Sequence, residues 1–420
     1  MKKQYYVFAC SFFYNLGGCI LGFSLIYRLT DRFLFSPGQV GTFIALGQIS
    51  FFIGCNLYHR FGSLYNPARV FTVSGIVAFA VSFIIVYSRV LGPVYVSYWI
   101  LSVCSGLFWP PVMAWLTSGL SGKELNREIS IFNRSWMSGN LIGPLLAGTL
   151  YRVSSVLVFV ILNLSYSIVV LLLYLMWRNI GSADMEEKSP PAVQDTAAQS
   201  TAGASAEQGA GNTPGGNTPG VATPTQKAME ERLDFFRYRG WISGFSSSMC
   251  LGVLTNIIPL HIRDGLGFTE QSAGVMLFMR CLSGLAGFTI LARFTTWHFN
   301  RRWFFSIQAG LILVSALFLT AGSRLYYFYF VVLLYGFLNS ACYNNSIFHS
   351  GATGRNPKKN LAMHEIFMSM GSILGTAGGG FIYQHFRFTG TYLALILFLG
   401  LGMGSLVYLD RRPFRRKSGQ

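Results

Sequence analysis

Phe35-Ser36-Pro37-Gly38-Gln39-Val40-Gly41 recurs in kind as Phe268-Thr269-Glu270-Gln271-Ser272-Ala273-Gly274, 233 positions later (268 less 35). The same offset carries Asp31 onto Asp264, Arg60 onto Arg293 and Arg69 onto Arg302. Further along, Gly143 falls on Gly375 and Gly148 on Gly380, at 232 (375 less 143). The second part of the chain therefore repeats the first, in the same direction.

Working outward from these matches, apolar stretches cover 4–27, 37–58, 70–87, 94–119, 129–151 and 154–177. A second set covers 238–261, 270–292, 303–322, 326–349, 361–383 and 391–409. A span needs about 20 mostly apolar residues. Lipid leaves backbone groups unpaired except in helices and closed barrels, and these stretches lack the alternation of barrel strands. The expected fold class is an all-α membrane protein with twelve transmembrane helices in two pseudo-symmetric six-helix bundles. Parallel repeats of six helices point to a transporter with its site between the halves.

Composition agrees. Of the 420 residues, 52% are hydrophobic and 11% charged, and the mean hydropathy is +0.45. A soluble domain averages about 25% charged residues. The net charge of +17 has no basic globular domain in which to reside, so nucleic acid is not an expected partner. All seven cysteines fall inside apolar stretches, without metal-type spacing, and read as small packing residues. No metal or cofactor is expected, and no nucleotide loop or nucleophile constellation indicates an enzyme or ATP-driven transport.

Met1-Lys2-Lys3 followed by an apolar run to Cys19 is similar to a lipoprotein signal. Cleavage there would remove the helix that matches the one from Tyr238, so the run is read as a retained span. Of 32 Lys and Arg residues, 23 fall on the side that carries the termini and seven on the other; Arg134 and Arg280 lie within spans. That asymmetry predicts both termini in the cytoplasm of a multi-pass cell-membrane protein, and it accounts for the charge. The expected domains are a bundle over 1–180, a cytoplasmic linker over 181–234 and a bundle with a short basic tail over 235–420. The linker is rich in Ala, Gly, Ser, Thr and Pro, and Gly211-Asn212-Thr213-Pro214-Gly215 is repeated as Gly216-Asn217-Thr218-Pro219-Gly220. Such a segment cannot bury a core and reads as disordered.

Six plus six helices with a long central loop resemble the major facilitator superfamily along the whole chain. The fifth stretch, Gly139-Asn140-Leu141-Ile142-Gly143-Pro144-Leu145-Leu146-Ala147-Gly148, resembles that family's G-x-x-x-G-P-x-x-G-G motif, departing at Ala147. The resemblance implies an exporter exchanging its solute for protons; the alternative is a packing seam of many transporters. Small residues admit a second backbone and Pro144 loosens the helix. The matching run from Gly371 through Gly375 and Gly379 to Gly380 forms a second small-residue seam. After the second stretch, Arg60-Phe61-Gly62 resembles the middle of the family's G-x-x-x-D-R-x-G-R-K gate loop. His59 stands in place of the acid, and the second copy keeps little beyond Arg293. The fourth stretch lacks the Arg of proton-coupled exporters and the first lacks the acid of many drug exporters.

A charge inside a span is costly and points to function. Three candidates are Arg134, Arg280 and Glu365, with His364 beside the last. At about 1.5 Å per residue, Arg134 and Glu365 lie about 9 Å in and Arg280 about 17 Å in, near the midplane. The resemblance puts all three on helices lining the seam between halves. One reading makes Glu365 the proton-responsive group, exchanging partners between Arg280 and Arg134; the alternative is a fixed ion pair. A second reading gives Arg280 an anionic or polar group of the solute. Further cavity candidates are Tyr14, Asn15, Trp109, Asn140, Asn256, Asn339, Tyr343 and Asn344. Together they describe an amphipathic cavity with few charges, suited to a neutral, partly apolar or singly charged solute.

The expected function is secondary transport by alternating access, as a proton-coupled efflux antiporter for small amphipathic compounds, working as a monomer in the bilayer. The alternatives are a sugar or nutrient symporter, a lipid translocator and a non-transporting sensor.

Overall fold

The structure is a computed structural model and describes residues 3–117, 122–179, 224–291, 296–351 and 357–411. The first half comprises α1 (Lys3–Phe33), α2 (Pro37–Phe61), α3 (Pro67–Tyr87), α4 (Leu91–Thr117), α5 (Gly122–Val153) and α6 (Ser155–Asn179). The second comprises α7 (Pro224–Leu260), α8 (Glu270–Leu291), α9 (Arg301–Thr320), α10 (Leu325–Gly351) and α11 (Pro357–Arg411). α11 bends at Arg387 (φ 57°, ψ −162°), which separates the two spans expected over 361–383 and 391–409. Among the described residues, ten helices are long and apolar enough to cross a membrane. α5 falls outside that set: Lys123, Glu124, Arg127, Glu128 and Arg134 charge its first half, and Ser135, Ser138, Asn140, Pro144 and the glycines keep the rest from being strongly apolar. With the bend in α11 and the length of α5, the architecture is consistent with twelve spans.

The repeat extends to the backbone. Leu34 (φ 55°) and Gly267 (φ 72°) occupy matching positions, and both hold the left-handed conformation that turns the chain into α2 and α8. α2 then starts on a capping box, in which the Ser36 hydroxyl accepts from the Gln39 N–H and the Gln39 side chain accepts from the Ser36 N–H, with Pro37 at the first position.

Within the first half α1 packs on α5 and α6, and α4 packs on α2 and α3. Within the second, α7 packs on α11 and α10, and α8 on α10. The halves meet along two crossings, α2 with α11 and α5 with α8. Local polar ties hold each half. The buried Arg28 caps the end of α3 through the Val86 and Ser88 carbonyls. Asp410, at the end of α11, accepts from the buried Arg239 of α7 at 2.7 Å and from Arg301 of α9.

One boundary departs from expectation. α7 begins at Pro224, so 224–234, read as the end of the linker, is helical. Gln226-Lys227-Ala228-Met229-Glu230-Glu231-Arg232-Leu233 consists of strong helix formers behind a proline suited to a first turn, and this outweighs its low hydrophobicity. The rest of the linker, 180–223, lies outside the described residues.

Candidate functional site

The heptapeptide that revealed the repeat is where the halves touch. A Cβ on Gly380 of α11 would stand 2.6 Å from the Pro37 carbonyl oxygen of α2, and one on Gly148 of α5 would stand 2.5 Å from that of Glu270 in α8. Gly41 and Gly274, the last residues of the two copies, face the backbones of Thr376 and Pro144 as closely. These are two backbone-on-backbone crossings, related by the repeat, that only residues without side chains allow.

A polar cluster lies over them. Arg263, in the turn after α7, pairs with Asp31 at 2.8 Å and with Asp264 at 2.6 Å, and donates to Thr30 at 2.9 Å. Its guanidinium sits 4.6 Å from the Tyr27 ring centre, and the Tyr27 hydroxyl donates to the Pro259 carbonyl at 3.3 Å. Tyr151 donates to Asp31, and Arg152 to Gln271. Asp31, Thr30, Tyr27 and Arg152 belong to the first half, and their partners Arg263, Pro259 and Gln271 to the second. This end of the molecule is shut.

Towards the other end α2 and α11 diverge. Between Gln48 and Phe51 of α2, Ser248 of α7 and Met368, Ser369 and Ser372 of α11 lies a cleft with about 570 Å³ of open space. A second cleft of about 580 Å³, bounded by Gly18, Tyr98, Ser102 and Tyr166 of the first half, shares Gln48 and Phe51 with it. The open end is the one carrying Lys3, the end of α2 and the start of α11. Glu365 faces it, 62% exposed, 3.8 Å from the ring of the buried His364. His364 meets the Ser346 hydroxyl through Nδ1 at 2.7 Å, and its ring lies edge-on to Tyr343 at 5.4 Å. Glu365 is within electrostatic range of Tyr343 and of Cys55 on α2. Arg134 is exposed in α5. In this conformation Glu365 forms an ion pair with neither Arg280 nor Arg134.

Arg280 lies elsewhere, where α1, α5, α8 and α10 meet. Its Nη2 donates to the Cys281 thiol at 2.9 Å, while its Nε is buried without a hydrogen bond. The Cys281 thiol donates to the Asn140 carbonyl at 3.5 Å, and the Cys19 thiol of α1 to the Asn140 side chain at 2.8 Å. Arg280 is within electrostatic range of Cys19 and Tyr335. Tyr335 donates to the Ser247 carbonyl, and Asn339 donates to the Ser247 and Tyr335 hydroxyls at 2.7 and 3.3 Å. The structure thus brings Arg280, Asn140 and Asn339 into one chain of contacts. Cys19 and Cys281, read from sequence as packing residues, belong to it because a thiol in a span can still donate to a nearby amide oxygen.

Other expected residues serve each half. Asn15 donates to the Trp136 carbonyl at 2.6 Å and so ties α1 to α5. Tyr14 is buried, hydrogen-bonded to Ser105 at 2.9 Å, stacked on Phe108 and edge-on to Trp109. Asn256 is buried and donates to the Gly252 carbonyl and the Thr376 hydroxyl, holding α7 to α11. Asn344 is half-buried on α10. His59 and Arg60 are exposed in the last turn of α2, with Arg60 over the Phe61 ring and the Gly62 N–H closing the helix on the Tyr58 carbonyl. Arg293 lies outside the described residues.

The glycine motif divides. Gly139 and Gly143 admit the α1 backbone and Cys19, and Gly375 and Gly379 face Met249 and Val253 of α7, all within a half. Only Gly148 and Gly380 cross between halves. Gln48 was missed by sequence reading. It lines both clefts, and its Oε1 is buried without a partner. A polar amide in an apolar stretch, next to the position matching Arg280, was its only signal.

Two repeated sets of membrane-length helices around a cleft shut at one end are the architecture of a solute transporter. The sequence profile of the Major Facilitator Superfamily matches residues 7–359, and the chain belongs to that family. It is a multi-pass membrane transporter rather than an enzyme. Among curated proteins it is 27% identical over 201 residues to the "Putative multidrug resistance protein MdtD" of Escherichia coli O6:K15:H31 (strain 536 / UPEC). That match covers 44% of this chain and 42% of the relative, less than half of either. Among solved structures, the nucleoside transporter NupG superposes with a TM-score of 0.69 at 12% identity, over 98% of this chain and 100% of its own. A POT family transporter in complex with a thioalcohol conjugated peptide gives 0.72 at 10%, over 97% and 96%. A bacterial homologue of the human lysosomal transporter Spinster, in an inward-facing and occupied conformation, gives 0.68 at 10%, over 98% of each. At these identities the likeness shows the fold alone.

Proposed function

We propose that this chain exports small amphipathic compounds in exchange for protons, as a monomer, by rocking the bundles 1–180 and 235–420 about the central cleft. The carrying observation is the course of α2 and α11, which touch at Gly41 and Gly380 and part around a cleft lined by Met368 and Ser369, one turn from Glu365. With the basic residues of the termini side in the cytoplasm, the open end faces inward and the Asp31–Arg263 end outward. The fifth-helix motif and the partial likeness to a putative multidrug resistance protein favour export.

Glu365 is the proton-responsive group of this reading. It is exposed one turn from the cleft residues Met368 and Ser369, beside a buried histidine, and pairs with no arginine among the described residues. Closure of the cytoplasmic end would desolvate it and favour its protonated form, so proton binding and rocking would be coupled. Glu365→Gln tests this in liposomes with an imposed pH gradient. Downhill exchange should persist while uphill transport falls to background. Unchanged uphill transport would remove Glu365 from the coupling.

A further inference from the structure

We propose that Arg280 anchors a single negatively charged group of the cargo, so that this transporter moves an organic monoanion. The inference rests on the transport reading and narrows its substrate class.

Arg280 has no carboxylate within ion-pair distance among the described residues; its one polar contact is the Cys281 thiol. Its Nε is buried with nothing to donate to. The side chain is half-buried, and an intramembrane cation normally faces a partner, because a charge there without one is destabilising. Here the missing partner has a place to arrive. Gly18 of α1, next to Cys19, lines one cleft, and Ser248 of α7, next to Ser247, lines the other, so the helices that carry the neighbours of Arg280 also form the cleft walls.

The neighbours of Arg280 are uncharged: Asn140, Tyr335, Asn339 and two thiols. A solute cation would meet repulsion, with no acid among these described neighbours to offset it. A dianion would bring a second charge with nothing to pair it. One guanidinium fork matches one planar or tetrahedral oxyanion, carboxylate or sulfonate. The apolar and aromatic walls, Phe51, Tyr98 and Met368 among them, then take the uncharged body. The Arg280 charge does double duty in this account: it selects the cargo, and a bound anion neutralises it before the halves close around it.

Full-length protein in liposomes, together with binding measured by calorimetry, tests the inference. The probes are phenyl, naphthyl and octyl compounds, each as sulfonate, sulfonamide and trimethylammonium. The sulfonates should bind and undergo counterflow. Arg280→Gln should weaken sulfonate binding about tenfold or more, the scale of a charge-assisted hydrogen bond, while shifting the sulfonamides less than twofold. Arg280→Lys, keeping the charge without the fork, should fall between. Both variants should elute and melt as wild type does, which separates lost recognition from lost folding. Transport of sulfonamide or trimethylammonium forms with the sulfonates refused overturns the anion site and leaves the transport reading standing, as does wild-type sulfonate binding by Arg280→Gln. Sulfonate binding without flux upholds the site and sinks the transport reading. Binding and flux by no probe overturns both.

Discussion

α2 and α11 meet on opposite terms at their two ends. At Gly41 and Gly380 their backbones touch; near Phe51 and Met368 a cleft separates them. The shut end combines two glycine crossings with a partly exposed ion-pair cluster, whereas the open end exposes Glu365 and Arg134. The contrast shows which forces can hold a reversible seal. Backbone contacts that demand glycine give close fit without a large buried apolar area. Charges with access to water add a tie that can be broken at small cost.

The largest expected effect comes from filling a crossing. Gly148→Leu drives a side chain into the α8 backbone between halves. Overpacking costs about 1–3 kcal/mol, which depletes the shut state by roughly five- to hundredfold. Counterflow should fall to about a fifth of wild type or below while the melting temperature stays near its original value. Gly139→Leu, in the same motif, strikes the α1 backbone within one half and should lower the melting temperature by at least a few degrees. If both variants melt early and fail alike, the division of the motif between packing and gating is wrong.

A smaller effect is expected from the charged cluster. Arg263 and Asp31 are 17% and 46% exposed, so their pair is worth no more than about 1 kcal/mol. Arg263→Gln should shift the balance between shut and open at that end by at most about fivefold, readable by single-molecule fluorescence. High salt should mimic it in the wild type and add little in the variant, because screening acts on the same pair. A loss as large as that of Gly148→Leu would make the cluster, not the glycines, the principal seal.

Much of this was legible from sequence. The apolar stretches gave the helices, and the matching of Gly41 with Gly274 and of Gly148 with Gly380 marked the positions that prove to cross between halves. Distance along a helix was readable too, but direction around its axis was not. Gly139 and Gly148 sit in one motif and face different neighbours. Glu365 and Arg280 could be ranked by depth, yet only the folded chain shows them apart, one exposed beside His364 towards the open end and the other among thiols and amides. Asn256 looked like a cavity residue until its bonds to Gly252 and Thr376 were seen. Gln48 drew no notice because an uncharged amide in a span carries little signal.

The central claim is that the two ends alternate, with the repeated glycine crossings as the seal that opens. Its most direct test is electron–electron distance measurement in a variant with the seven cysteines replaced by alanine. One spin-label pair sits at Leu34 and Phe386, exposed at the shut end; the other sits at Leu64 and Tyr238, exposed towards the open end. Introducing Gly148→Leu should lengthen the first distance and shorten the second. Distances that both lengthen, or a first distance that does not move, would contradict the account.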